Sequence, residues 1–177
     1  TPKFFWDAAA ESLGIGTSDP STYGVDGAED LVIGQADGNH GLTISSFGSS
    51  NGTIAFSDQT NVAVGRGYLD YDHSVNAMTV GTNGTERMRI SSAGHTTFGT
   101  TNLTPADNAI NGTSILSDGR INHNAQSQPA AVIGRSGTDG IIVDLRKQGT
   151  TVGSIGNIGS DLTVGNGDVA LRFSSGN

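Results

Sequence analysis

The chain has 177 residues, of which 34% are hydrophobic, below the roughly 45–50% apolar usage of typical soluble domains. A formal net charge of −8 with only 9 Lys plus Arg argues against nucleic-acid binding and against polybasic attachment to a membrane. The absence of Cys excludes disulfides and thiolate metal sites. Because Pro, Glu and Lys are also scarce, we expect ordered, thin β structure rather than a disordered chain.

Short strands separated by Gly, Asn and Asp are predicted along almost the whole chain. The predicted strands cover residues 30–34, 41–45, 53–57, 61–64, 77–81, 87–91, 96–99, 113–116, 131–134, 140–145, 151–155, 161–165 and 169–173. Asn-Gly pairs, which suit two-residue hairpin turns, begin at Asn51, Asn83, Asn111 and Asn166. The one predicted helical piece is a single turn over residues 8–12.

The strand over residues 87–91 predicts two faces of different chemistry. Alternation places Met88 and Ile90 on one face and Arg87 and Arg89 on the other, where the arginines pair with Glu86 or other acidic neighbours. One apolar stripe this narrow cannot bury itself within one chain, but three identical chains wound about an axis can bury it. We therefore predict an all-β fold: an elongated, repetitive structure forming a homotrimeric interleaved β-helix or β-prism shaft.

Two stretches of the chain resemble each other. Residues 79–81 and 163–165 both read Thr-Val-Gly at an offset of 84, and Arg89 aligns with Arg172 at an offset of 83. Because the offset falls from 84 to 83 between these two matches, we expect the second copy to lack one residue at the hairpin turn. Because residues 13–20 also resemble 97–105, we expect a connector over residues 1–12, one β repeat unit over 13–96 and a second over 97–177. We also expect the chain to be a fragment of a longer protein.

The stretches "FFWDAAAESLGIGTSDPS" (4–21) and "GYLDYDHSVNAMTVGTNGTERMRISSAGHTTFGT" (67–100) resemble repeat units of bacteriophage tail fibres and tailspikes. The resemblance implies a homotrimeric β shaft in the virion that contacts other tail proteins and supports attachment to the bacterial host surface. Bacterial surface polysaccharide is a further partner that it implies. The self-cleaving chaperone motif of such fibres has no counterpart here, so no catalytic residue is carried over.

The most enzyme-like segment is "DYDH", which contains Asp70, Asp72 and His73. Two acids at alternate positions beside a histidine suit a metal site or a glycosidase pair. The resemblance places this segment in a loop between strands, and no third acidic ligand follows nearby. A solvated turn and a cation or sugar contact both remain open. In a trimer, His95 or His123 could also meet its symmetry copies on the axis and bind an ion.

Three functions follow from these patterns. The first is a structural fibre shaft without catalytic activity, cofactor, nucleic-acid partner or membrane partner. The second is a tailspike that binds or degrades polysaccharide, which would require a groove with clustered carboxylates and aromatic residues. The third is a non-viral extracellular β filament assembled from head-to-tail units.

Overall fold

The computed structural model describes residues 3–23, 30–35, 38–57, 66–166 and 169–174, and it is all-β, with 48% strand and 3% helix. The all-β prediction is therefore confirmed. The strands are β1 (Phe4–Asp7), β2 (Ser12–Ile15), β3 (Leu31–Ile33), β4 (Asn51–Phe56), β5 (Gly67–Asp72), β6 (Ala77–Thr82), β7 (Thr85–Ile90), β8 (Thr96–Phe98), β9 (Gly112–Ile115), β10 (Ile121–Asn124), β11 (Gly140–Lys147), β12 (Thr150–Ile158), β13 (Asp161–Asn166) and β14 (Val169–Phe173). One helical turn, α1, covers Pro20–Tyr23.

The strands form three sheets. The N-terminal sheet has the order β1-β2-β3, the central sheet runs from β4 to β10 in chain order, and the C-terminal sheet runs from β11 to β14 in chain order. All neighbours are antiparallel except β2 and β3, which are parallel. The predicted division between residues 96 and 97 falls inside β8, and the central sheet continues through it.

Several predicted elements differ from the structure. Residues 41–45 and 131–134 form no strand, because neither segment joins a hydrogen-bonded ladder. Residues 61–64 lie outside the described residues. The predicted helical turn over residues 8–12 is wrong: residues 8–11 form the hairpin turn between β1 and β2, and Ser12 begins β2. There the Asp7 carboxylate accepts hydrogen bonds from the backbone N–H groups of Ala9 and Ala10 at 2.9 and 3.1 Å, which closes a local turn that competes with a helix.

Only part of the turn prediction is correct. Asn83 and Gly84 form the two-residue turn between β6 and β7, with φ values of 51° and 70°, as a type I′ hairpin requires. Asn51 instead begins β4, and the chain turns before it, where the Ser50 N–H donates to the Phe47 carbonyl at 2.8 Å. Gly112 likewise begins β9. Within the described residues, Asn-Gly therefore marks strand starts as well as turns.

The sheets are single layers with little interior. In the part of the chain that the structure describes, the buried apolar side chains are few: Val32, Ala77, Leu116 and the prolines Pro20 and Pro105. In β6 the buried positions are Ala77, Thr79 and Gly81, whereas the larger Met78 and Val80 on the opposite face are exposed. The apolar face of the central sheet is therefore the open one.

Candidate functional site

The candidate residues Asp70 and Asp72 lie inside a strand, which corrects the expected loop. Both belong to β5, which pairs with β4 on one side and β6 on the other. The aromatic and β-compatible residues of Gly67–Asp72 suit a paired strand. Alternation then places the two carboxylates on one face of the central sheet, and His73 follows directly after the strand.

Each carboxylate is engaged by groups of the sheet and its turn. Asp70 accepts hydrogen bonds from the Asn51 side-chain amide at 2.7 Å and from the Thr53 hydroxyl, both on β4. Asp72 accepts from the Ser74 hydroxyl and from the Ser74 backbone N–H, the latter at 2.8 Å. These bonds, with the hydroxyl contributing most, lower the pKa of Asp72 below its ordinary value. These bonds tie Asp70 to β4 and Asp72 to the turn that follows β5.

The histidines of the central sheet also have local contacts. The His73 ring meets the Tyr71 ring edge-on, with centroids 4.9 Å apart. His95 accepts a hydrogen bond from the Ser117 N–H at 3.0 Å. Among the described residues, no group of three His, Asp or Glu side chains is placed to hold a metal ion. Asp70, Asp72 and His73 therefore form no such group within the described ranges.

A bidentate ion pair on the central sheet joins Glu86 and Arg89. The Arg89 Nε donates to Glu86 Oε1 at 2.8 Å, a second guanidinium nitrogen binds Oε2, and both side chains are largely shielded from solvent. This bidentate contact raises the pKa of Arg89 above its ordinary value. The predicted pairing of an arginine with Glu86 is thus present, within one strand.

A β-bulge brings these two residues to the same face. Val80 pairs with Met88 but Gly81 pairs with Glu86, so Arg87 is an extra residue without a partner across the ladder. Without the bulge, residues three apart would point to opposite faces. Arg87 itself donates from Nε to the Thr82 hydroxyl at 3.1 Å, so the two arginines differ in environment.

The C-terminal sheet repeats this hairpin without the bulge. Thr163 pairs with Arg172 as Thr79 pairs with Arg89, and each arginine binds an acid on its own sheet. The Arg172 Nε donates at 2.7 Å to Asp161, which is buried. The last paired residues of the two hairpins, Thr82 with Thr85 and Asn166 with Val169, are equally far apart in sequence, so the extra residue of the first copy lies at the bulge. The expectation that it lies at the turn is wrong.

Sequence reasoning missed the most extensive feature of the molecule, which is a row of apolar side chains across each sheet. In the central sheet the row is Ile54, Leu69, Val80, Met88 and Phe98, each directly opposite the next. All five are exposed except Met88, which is half-buried. Each strand's alternation was visible in the sequence, but the pairing that aligns the strands was not.

Comparison of the chain with protein-family models, curated proteins and solved structures finds no match in any of the three. Among the described residues, no helix has the length and apolar character needed to span a membrane.

Proposed function

We propose that this chain is a structural segment of a phage tail fibre, a homotrimeric shaft in the virion that supports attachment to the bacterial host. The observation that carries the proposal is the large surface of a single chain. The chain exposes 12560 Å², whereas a compact monomer of 18.0 kDa would expose about 8,000 Å². The excess is comparable to the surface that obligate assemblies bury between subunits, which ranges over about 2,000–5,000 Å².

The chemistry of the excess surface supports association of identical chains. The open faces carry Ile, Leu, Val, Met and Phe side chains in continuous rows, and monomeric soluble proteins rarely expose apolar patches of that extent. The N-terminal sheet has such a face too. There Phe4 pairs with Ile15 and Trp6 pairs with Leu13, and all but Leu13, which is half-buried, are exposed.

Closed threefold symmetry is the arrangement that we infer for these chains. A single-layered sheet buries its apolar face when three copies turn those faces toward a common axis, and a closed ring leaves no unmatched subunit surface. The resemblance of residues 4–21 and 67–100 to fibre repeats, together with the repeated hairpin, extends this inference to a virion shaft.

Size-exclusion chromatography with light scattering tests the proposal, and the expected mass is three times 18.0 kDa. Electron microscopy of the same fraction should show discrete rods of uniform length. A monodisperse monomer with well-dispersed NMR signals would contradict the trimer. Fibrils of unlimited length would instead favour a self-assembling β filament over a fibre segment.

A further inference from the structure

The C-terminal sheet reproduces four of the seven strands of the central sheet. β11, β12, β13 and β14 follow the same order and the same antiparallel directions as β4, β5, β6 and β7. The two shared hairpins match in register, since Thr-Val-Gly stands opposite the arginine-containing strand in both. In the central sheet, however, β7 pairs with β8, whereas β14 is an edge among the described strands.

The row of apolar side chains across the C-terminal sheet is one member shorter than the row across the central sheet. The apolar row of the C-terminal sheet runs Val143, Ile155, Val164 and Leu171, and it ends at β14. The corresponding row of the central sheet has a fifth member, Phe98 of β8, directly opposite Met88. On the other face, Thr97 of β8 stands opposite Arg89, and no strand in the part of the chain that the structure describes supplies the equivalent residue beside Arg172.

Side chains of β14 are more exposed than their equivalents in β7. The Arg89 side chain is 29% exposed, whereas the equivalent Arg172 side chain is 55% exposed. Met88 is half-buried, whereas Leu171, its equivalent, is 68% exposed. Both pairs differ in the direction expected if β14 lacks the neighbouring strand that covers β7.

The backbone of β14 is also oriented to accept a strand. In β7, the Ser91 N–H donates to the His95 carbonyl at 2.9 Å, and the Arg87 carbonyl accepts from the Gly99 N–H at 2.9 Å. Alternate residues of an antiparallel strand point to the same neighbour, so Arg89 also points toward β8. By the shared register, the backbone groups of Ala170 and Arg172 point toward the open edge of β14.

We propose that the edge of β14 is a binding site for an extended peptide strand that adds antiparallel to it. The strand has the chemistry of β8: a small polar residue opposite Arg172 and a large apolar residue opposite Leu171. Binding forms backbone hydrogen bonds to Ala170 and Arg172 and extends the apolar row by one member. This is β-strand addition to a sheet edge, in which the backbone supplies affinity and the alternating side chains supply specificity. The inference depends on the pairing within one chain and not on the trimer.

A grafted strand tests the site. In the test variant, residues 176–177 are replaced by a copy of residues 93–99, which reproduces the connection from β7 into β8. Hydrogen exchange followed by NMR should show the amide of Arg172 slowed on the order of tenfold or more, as for an amide that enters a sheet ladder. The amide of Arg89, already paired with β8, is the internal reference and should not change.

The matched control is the same graft with the copied Thr97 replaced by proline, which has no N–H to donate to the Arg172 carbonyl. This control should leave the exchange of Arg172 as fast as in the unextended chain. Equal exchange in the graft, the proline graft and the unextended chain would overturn the proposal. Protection of Arg172 in the unextended chain that rises with protein concentration would also overturn it, because a second copy would then occupy the edge.

Discussion

At the scale of single residues, the contact between Tyr68 and Gly81 leaves no space for an added methyl group. The two residues are cross-strand partners, and a Cβ at Gly81 would lie 2.1 Å from the Tyr68 ring. We expect Gly81→Ala to lower the free energy of unfolding by about 1–3 kcal/mol, because the ring must leave its position over the glycine. Urea unfolding measures the loss.

Two further variants test whether the clash with the Tyr68 ring causes the loss of stability. Gly134→Ala is the matched control, because a Cβ there meets nothing within 4 Å, and its stability should not fall. Combining Gly81→Ala with Tyr68→Ala should cost less than the sum of the two single changes, since the clash is then absent. Additive losses would show that the glycine is needed for its backbone and not for the ring.

Asp72 gives a prediction on acid stability. Its pKa lies below the ordinary value of 3.8, chiefly because the Ser74 hydroxyl donates to the carboxylate. A carboxyl whose pKa is lowered by folding contributes stability that is present above the unfolded pKa and is lost as pH falls through the folded pKa. Ser74→Ala should therefore raise the pKa of Asp72 toward 3.8 and reduce the loss of stability on acidification.

Carbon-detected NMR titration of the carboxyl groups measures this shift. Asp118 is the internal control, because its lowered pKa depends chiefly on the Arg120 backbone N–H and should be the same in both proteins. An unchanged pKa of Asp72 in Ser74→Ala would contradict the assigned cause.

At the scale of elements, the bulge predicts which strand residue can be removed. Deleting Arg87 leaves Glu86 opposite Gly81 and Met88 opposite Val80, which is the unbulged register of β13 and β14. We expect the deletion to fold in the same register and to change the unfolding free energy by about 1 kcal/mol. Deleting Thr97 from the unbulged β8 is the contrasting control, because it turns Phe98 toward the polar face. Similar losses in the two deletions, measured by urea unfolding, would contradict the assignment of the bulge.

The same elements show how far the sequence could predict this fold. Alternation within one strand placed Met88 and Ile90 on one face and Arg89 on the other, because the face of a residue depends only on its position along the strand. The bulge at Arg87 was not predictable, since it depends on pairing with β6. Asp70 and Asp72 were assigned to a loop because of the resemblance to fibre repeats, although the aromatic residues of β5 suit a strand that pairs with β4 and β6. Residues 131–134 show the converse, a strand-like sequence that pairs with none of the described strands.

At the scale of the whole molecule, the open apolar face predicts how a single charge affects assembly. Val80 lies in the middle of the apolar row of the central sheet and is partly exposed in one chain. In a trimer that buries this face, Val80→Lys would place an unpaired ammonium in an apolar interface, at a cost on the order of several kcal/mol. In an isolated chain, the lysine would remain in solvent. We therefore expect Val80→Lys to convert the trimer to 18.0 kDa chains in light scattering.

Ser92→Lys is the matched control, because it adds the same charge in an exposed turn away from the apolar row. Its mass should equal that of the unmodified protein. Circular dichroism of both variants should keep the β-sheet signal if dissociation leaves the sheets intact. A trimer that survives Val80→Lys would mean that the copies associate through other surfaces, and the open face of the central sheet would then need a different explanation.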